Sequence, residues 1–242
     1  MKCSKTIKLI VLIILSLSVF YIYNLTNYNN ISYTVIGDGL SCGIDSYGIK
    51  GHGYSDYIKD YLKNNKKLQN YSKEYTKEGM TIEMLYNNII SNQKMSPSNT
   101  KQNITNILSN TDYLTITIGL NDLLYKIQLL DQQTEENLNV IIKEIETDFN
   151  NLIKTIRTIY KKDIYIVGYY DFDIKNEFYK KAIKKLNNIY INNKDVVYIS
   201  TYILSENKSI FFSNPQSYYP NYKGYQLIST KIIDKISKKL EK

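Results

Sequence analysis

The chain has 242 residues, which allows one sizeable domain with an additional segment, or two small domains. A hydrophobic content of 43% excludes a disordered chain, and a net charge of +8 favours contact with anionic surfaces such as lipid headgroups or acidic wall polymers. One histidine and two cysteines argue against a structural zinc site, and lysines spread along the chain without a recognised motif argue against nucleic acid. The chain has no tryptophan and 25 tyrosines on every predicted element, a spread that fits compositional bias better than a tyrosine-lined groove for sugars or lipids.

Lys2, Lys5 and Lys8 precede an apolar run over 9–25, the pattern of an export signal with the amino terminus held inside. Bulky Val19, Phe20, Tyr21 and Tyr23 follow Ser16 and Ser18, and no lipobox cysteine comes after the run, so an uncleaved anchor is favoured over a cleaved signal. The expected organisation is a cytoplasmic basic tip over 1–8, a transmembrane anchor or uncleaved signal over 9–25, a tether over 26–31 and one domain over 32–242 on the extracytoplasmic side of the cell membrane, or secreted if the segment is cleaved. That topology separates Cys3 from Cys42, and Cys42 reads as a small buried filler.

A β-branched run over 33–41 ends in Gly37-Asp38-Gly39-Leu40, a buried first strand closed by a tight turn. Helical spacing over 53–62 is followed by a second strand over 70–76. Gly79-Met80-Thr81 opens a helix carrying Ile82, Leu85, Ile89 and Ile90, and 94–101 is a Pro/Ser/Asn loop. A strong strand over 112–118 runs into Gly119-Leu120-Asn121-Asp122, and a long amphipathic helix occupies 134–160. Then come a strand over 163–168, a basic helix over 175–191, a short strand over 196–199, an irregular stretch over 200–222 and a closing helix. Strands alternating with helices give an α/β fold, a three-layer α/β/α sandwich with a parallel sheet, preceded by an amino-terminal hydrophobic segment.

Four short signals sit at strand or helix boundaries: Gly37-Asp38-Gly39-Leu40, Gly79 in Glu78-Gly79-Met80-Thr81, Gly119-Leu120-Asn121-Asp122, and Tyr219-Pro220 before the last helix. Their order and setting resemble the successive blocks of the SGNH/GDSL hydrolases (esterases and lipases), from about residue 33 to the carboxyl end. The resemblance implies a flavodoxin-like sandwich with a site at the carboxyl ends of the strands. It places the family's nucleophilic serine at Gly39, its oxyanion donors at Gly79 and Asn121, and its Asp-x-x-His pair at Gln216 and Tyr219. A serine hydroxyl needs a base to take its proton, and the oxyanion needs donors already in place. The donors are kept and all three triad positions are replaced, which implies a degenerate member.

Ser41 is the fallback nucleophile, although a small residue there commonly packs in the turn, and the single His52 lies just before the first helix of the domain. Tyr219 works as a base only with a strongly lowered pKa, for which Lys223 is the nearby candidate cause. Asp38 and Asp122 read as turn caps, with Asp38 and Tyr219 also candidate ligand contacts and Tyr218, Tyr219 and Tyr222 the aromatic rim of a residual groove. The reading is an envelope protein, without cofactor or metal, that binds an acyl or acetyl ester, a glycan, a lipid or a protein partner without cleaving it. The alternative is an active GDSL-type esterase, lipase or carbohydrate O-acetylesterase with a non-standard triad. A flavodoxin-like binding module lacks the phosphate-cradling glycine loop it would need.

Overall fold

The run of apolar and β-branched residues at Ile31–Gly37 forms the first strand, β1, and every one of its residues is buried. Burial on both faces is what a central strand of a parallel sheet requires. The computed structural model describes residues 2–27, 31–92, 102–172 and 175–240. The loop expected over 94–101 and residues 28–30 of the expected tether lie outside these.

In chain order, α1 (Lys2–Asn27) precedes β1. After β1 come the single turn α2 (Gly39–Cys42), α3 (Tyr54–Asn64), β2 (Leu68–Ser72), α4 (Ile82–Ile90), α5 (Ile104–Ser109) and β3 (Tyr113–Thr117). The second half holds α6 (Leu120–Gln128), α7 (Glu135–Ile159), β4 (Ile164–Val167), α8 (Glu177–Asn192), β5 (Val197–Ile199), two single turns α9 (Ile203–Glu206) and α10 (Lys208–Phe211), and α11 (Tyr222–Leu240). The five strands form one parallel sheet in the order β2-β1-β3-β4-β5. Helices flank it: α3 packs with α11, and α7 packs with α4, α6 and α8.

Helix α7 shows why the pattern folds this way. Thr134 caps it by accepting from the Asn137 N–H at 3.2 Å, and Glu135 and Glu136 stand in its first turn. Leu138, Ile141, Ile145, Phe149, Leu152, Ile153 and Ile156 form its buried stripe, and burying each such side chain contributes roughly 1.5–3 kcal/mol.

Several boundaries differ from the sequence reading. Strand β2 lies at Leu68–Ser72 because its partner is the first half of β1, from Ile31↔Leu68 to Thr34↔Ser72; by Tyr75 and Thr76 the chain is already closing on Gly37. Helix α6 begins directly at the third turn and was not expected, since polar Asn121 and Asp122 stand in its first turn and it buries only Leu123 and Ile127. Helix α5 is also additional, and the stretch read as irregular holds α9 and α10.

The helix expected over 9–25 is present within α1, and no helix among the described residues is long and apolar enough to cross a membrane. The apolar run covers 17 residues (25 − 9 + 1), against about 20 for a span. Along α1, apolar side chains such as Leu12, Val19 and Phe20 are exposed.

Strand order changes direction between β1 and β3, the switch point where open α/β sheets place their sites. There Gly37, at φ +124°, runs so close to β3 that an added Cβ would lie 1.9 Å from the Thr117 carbonyl oxygen. Gly48, at φ +80°, has nothing within 4 Å of an added Cβ. Gly37→Ala is therefore expected to destabilise at the top of the usual range, about 3 kcal/mol or more. Gly48→Ala should cost only the backbone term, about 1–2 kcal/mol. Denaturant unfolding of the two variants checks the order; equal losses would contradict the close approach.

Candidate active site

All four sequence blocks meet at the carboxyl end of β1. The Gly37 N–H donates to the Tyr75 carbonyl and the Asp38 N–H to the Thr117 carbonyl, both at 2.9 Å, and the Lys77 N–H donates back to the Gly37 carbonyl at 2.9 Å. Further along the same segment, the Asn121 side-chain amide donates to the Met80 carbonyl at 2.9 Å. The Asp122 carboxylate accepts from the Ile82 N–H at the start of α4, with both oxygens at 3.1 Å. The second and third blocks are thus tied to each other, and the first is tied to the segments that lead into both.

Asp38 is the centre of the first turn. Its Oδ1 accepts from the Leu40 N–H at 3.1 Å, capping α2, and from the Thr117 hydroxyl at 2.6 Å. The Tyr169 hydroxyl donates to its other oxygen. The carboxyl is almost completely buried, and burial pushes its pKa up to about 6 against these hydrogen bonds. Asp122 is also pushed up to about 6, chiefly by burial. Through these bonds Asp38 caps α2 and Asp122 caps the start of α4. Sequence reasoning missed Thr117 and Tyr169, which hold Asp38; the one available signal was that each stands at the carboxyl end of a strand.

Ser41 is enclosed within the first turn. It is fully buried, its hydroxyl donates to the Ile36 carbonyl at 3.0 Å, and the same oxygen lies 2.5 Å from the Thr117 hydroxyl and 3.1 Å from that of Tyr54. A hydroxyl so enclosed packs the turn. His52 does not reach it: its Nε2 pairs with Asp60 at 3.1 Å, and its ring sits edge-on to Tyr57 with centroids 4.4 Å apart.

Gly39 and Tyr219 are brought into direct contact. An added Cβ on Gly39 would lie 2.2 Å from the Tyr219 hydroxyl oxygen and 2.6 Å from ring carbon Cζ. The Tyr219 backbone is fixed on both sides, its N–H donating to the Ser217 hydroxyl at 2.9 Å and its carbonyl accepting from the Ser46 hydroxyl at 2.8 Å. The base role requires a lowered pKa, and the opposite holds. Burial, then the Asp38 and Glu78 carboxylates, push the Tyr219 phenol above its ordinary range, and Lys223 is not among the causes.

Gln216 is exposed, with its N–H turned to the Asn214 side chain at 3.0 Å. Gly79 takes φ +74° and is exposed, with open space around it, while Asn121 is committed to Met80. Among the described residues no cluster of three or more His, Cys, Asp or Glu side chains could hold a metal ion.

The raised carboxyl pKa values set a pH dependence. An aspartate with a folded pKa near 6 and an unfolded pKa near 4 binds more protons when folded, so its stabilising effect is complete below about pH 4 and is lost as pH rises through about 6. For Asp38 the shift amounts to up to about 3 kcal/mol. Asp38→Asn keeps acceptors for Leu40 and Thr117 and should flatten the fall in stability between pH 4 and 7. Denaturant unfolding across that range checks it; an unchanged slope would contradict a buried, protonating Asp38.

The family profile described as GDSL-like Lipase/Acylhydrolase matches residues 33–232. No curated protein matches the chain. Among solved structures it is similar to a lipase from a goat rumen metagenome, with 18% identity and a TM-score of 0.68 over 84% of this chain and 96% of the other. An acetylxylan esterase of Geobacillus stearothermophilus, as a catalytic mutant, shares 16% identity with a TM-score of 0.61, over 85% of this chain and 94% of the other. A psychrotrophic esterase of Pseudoalteromonas, inhibited by monoethylphosphonate, shares 16% identity with a TM-score of 0.56, over 88% of this chain and all of the other. At such identities the structures establish a shared fold, while the profile spans most of the chain and all four blocks: the chain belongs to the GDSL-like lipase/acylhydrolase family.

Proposed function

We propose that this chain is a member of its family that has lost ester hydrolysis and acts by binding, held at the outer face of a cell membrane through its lysine-flanked apolar amino-terminal helix. The observation that carries the reading is the contact between Gly39 and Tyr219. The residue in the nucleophile position has no side chain, and the space a serine would need is taken by the residue in the base position, 2.2 Å from an added Cβ. The two replacements fit each other, which is expected of a stable closed turn and not of a site awaiting substrate.

The acetylxylan esterase offers the contrast, since catalytic mutants of that enzyme have a serine, an aspartate or a histidine replaced. Here the motif positions are Gly39, Gln216 and Tyr219. With Tyr219 over Gly39, an acyl carbon has no room at the attacking position. A glycan or an envelope protein, met away from that point, fits the closed turn better than an acyl chain does. No observation favours a displaced nucleophile, because Ser41 is enclosed and His52 is paired with Asp60.

The test is ester hydrolysis by the full chain, with short-chain p-nitrophenyl esters and acetylated xylan as substrates. The unaltered protein should match the buffer rate, and turnover that follows the protein through two purifications would overturn the proposal. Gly39→Ser alone should destabilise by about 1–3 kcal/mol, because the new side chain meets Tyr219. Adding Tyr219→His should recover part of that loss, a coupling readable as non-additivity in a double-mutant cycle. The triple variant with Gln216→Asp restores nucleophile, base and orienting carboxylate, and should raise turnover by about 10²-fold or more.

A further inference from the structure

Next to the closed turn a small cleft of about 240 Å³ opens between the loop after α2 and the start of α11. Ser46 lines it and also holds the Tyr219 carbonyl at 2.8 Å, so cleft and closed turn share a wall. Two tyrosines among its lining residues face solvent, Tyr47 at 69% exposure and Tyr222 at 60%. A drug-sized pocket spans roughly 300–1,000 Å³, so this one suits a single ring-sized group.

Its polar groups are held in place and open to solvent. His52 is oriented by Asp60 through Nε2 and by the edge of Tyr57, which leaves Nδ1 without a partner among the described residues. Asp45 accepts from the Tyr47 and Ile49 N–H groups, both at 2.9 Å and both through Oδ1, which leaves Oδ2 free among the described residues. We infer that this cleft binds one sugar ring of a glycan chain, with Tyr47 and Tyr222 as its stacking surfaces and His52 and Asp45 as hydrogen-bonding partners of its hydroxyls.

Three comparisons of chemistry select that occupant. An apolar side chain from a protein partner would cover the imidazole nitrogen and the carboxylate without pairing them, at about 1–3 kcal/mol for each group. An anionic headgroup would meet the Asp45 carboxylate. A pyranose has an apolar C–H face for a tyrosine ring and hydroxyls that both donate and accept, so it satisfies the rim and the polar groups together.

This inference rests on the binding role proposed above and gives it a place, but it does not rest on the loss of hydrolysis; the test reads binding, not turnover. The full chain, in a detergent without sugar groups, is titrated calorimetrically with β-1,4-linked hexaoses of glucose, xylose and N-acetylglucosamine. At least one should bind saturably. Tyr222→Ala and Tyr47→Ala, both at exposed positions, should each raise Kd about tenfold or more, equivalent to about 1.4 kcal/mol. Exposed Lys154→Ala on α7 should leave Kd unchanged. Absence of binding to all three glycans, or binding that both tyrosine substitutions leave within twofold, would overturn the inference.

Discussion

The Tyr219 ring lies in the space that any side chain at residue 39 would occupy, and the carboxyl end of the sheet is arranged around that contact. Each side of it is held by groups far apart in sequence. Asp38 fixes the turn that presents Gly39, using Leu40, Thr117 and Tyr169 as donors. Ser46 and Ser217 fix the backbone that presents Tyr219. A buried carboxyl satisfied on both oxygens and a tyrosine clamped on both backbone sides make a turn that resists opening.

The same end of the molecule keeps much of a hydrolase's framework. Gly79 and Asn121 stand beside the first turn, and Asp122 ties the start of α4 to α6. These bonds serve the fold whether or not an oxyanion ever forms. Asn121 donates one amide N–H to Met80, and Asp122 accepts from Ile82 through both carboxylate oxygens. Retained donors are therefore weak evidence of catalysis, and the side chain over Gly39 is the feature on which the proposed loss of activity rests.

Much of this was legible in the sequence because it is local chemistry. The runs at β1, β3 and β4 are buried on both faces and read as strands, the seven-residue stripe of α7 follows the helical period, and Gly37 and Gly119 mark the turns that need positive φ. Elements with little buried surface were not legible. Helix α6 buries Leu123 and Ile127 alone, and the register of β2 depends on its partner β1. The tyrosines illustrate the limit most plainly. Their even spread reads as bias, yet Tyr54, Tyr169, Tyr190 and Tyr225 are buried near this end of the sheet with their hydroxyls bonded to Ser41, Asp38 and the carbonyls of Ile118 and Ile44. The sequence indicates that Gly39 and Tyr219 depart from the family pattern. Only the fold, which brings together residues 180 positions apart (219 − 39), indicates that they answer each other.

The central claim is that this turn holds no activated nucleophile. Intact-mass spectrometry after exposure of the full chain to a fluorophosphonate, a reagent that bonds covalently to activated serines, tests it most directly. The account predicts no mass increase for the unaltered protein. A single adduct mapping to Ser41 or to any other serine near the first turn would contradict it.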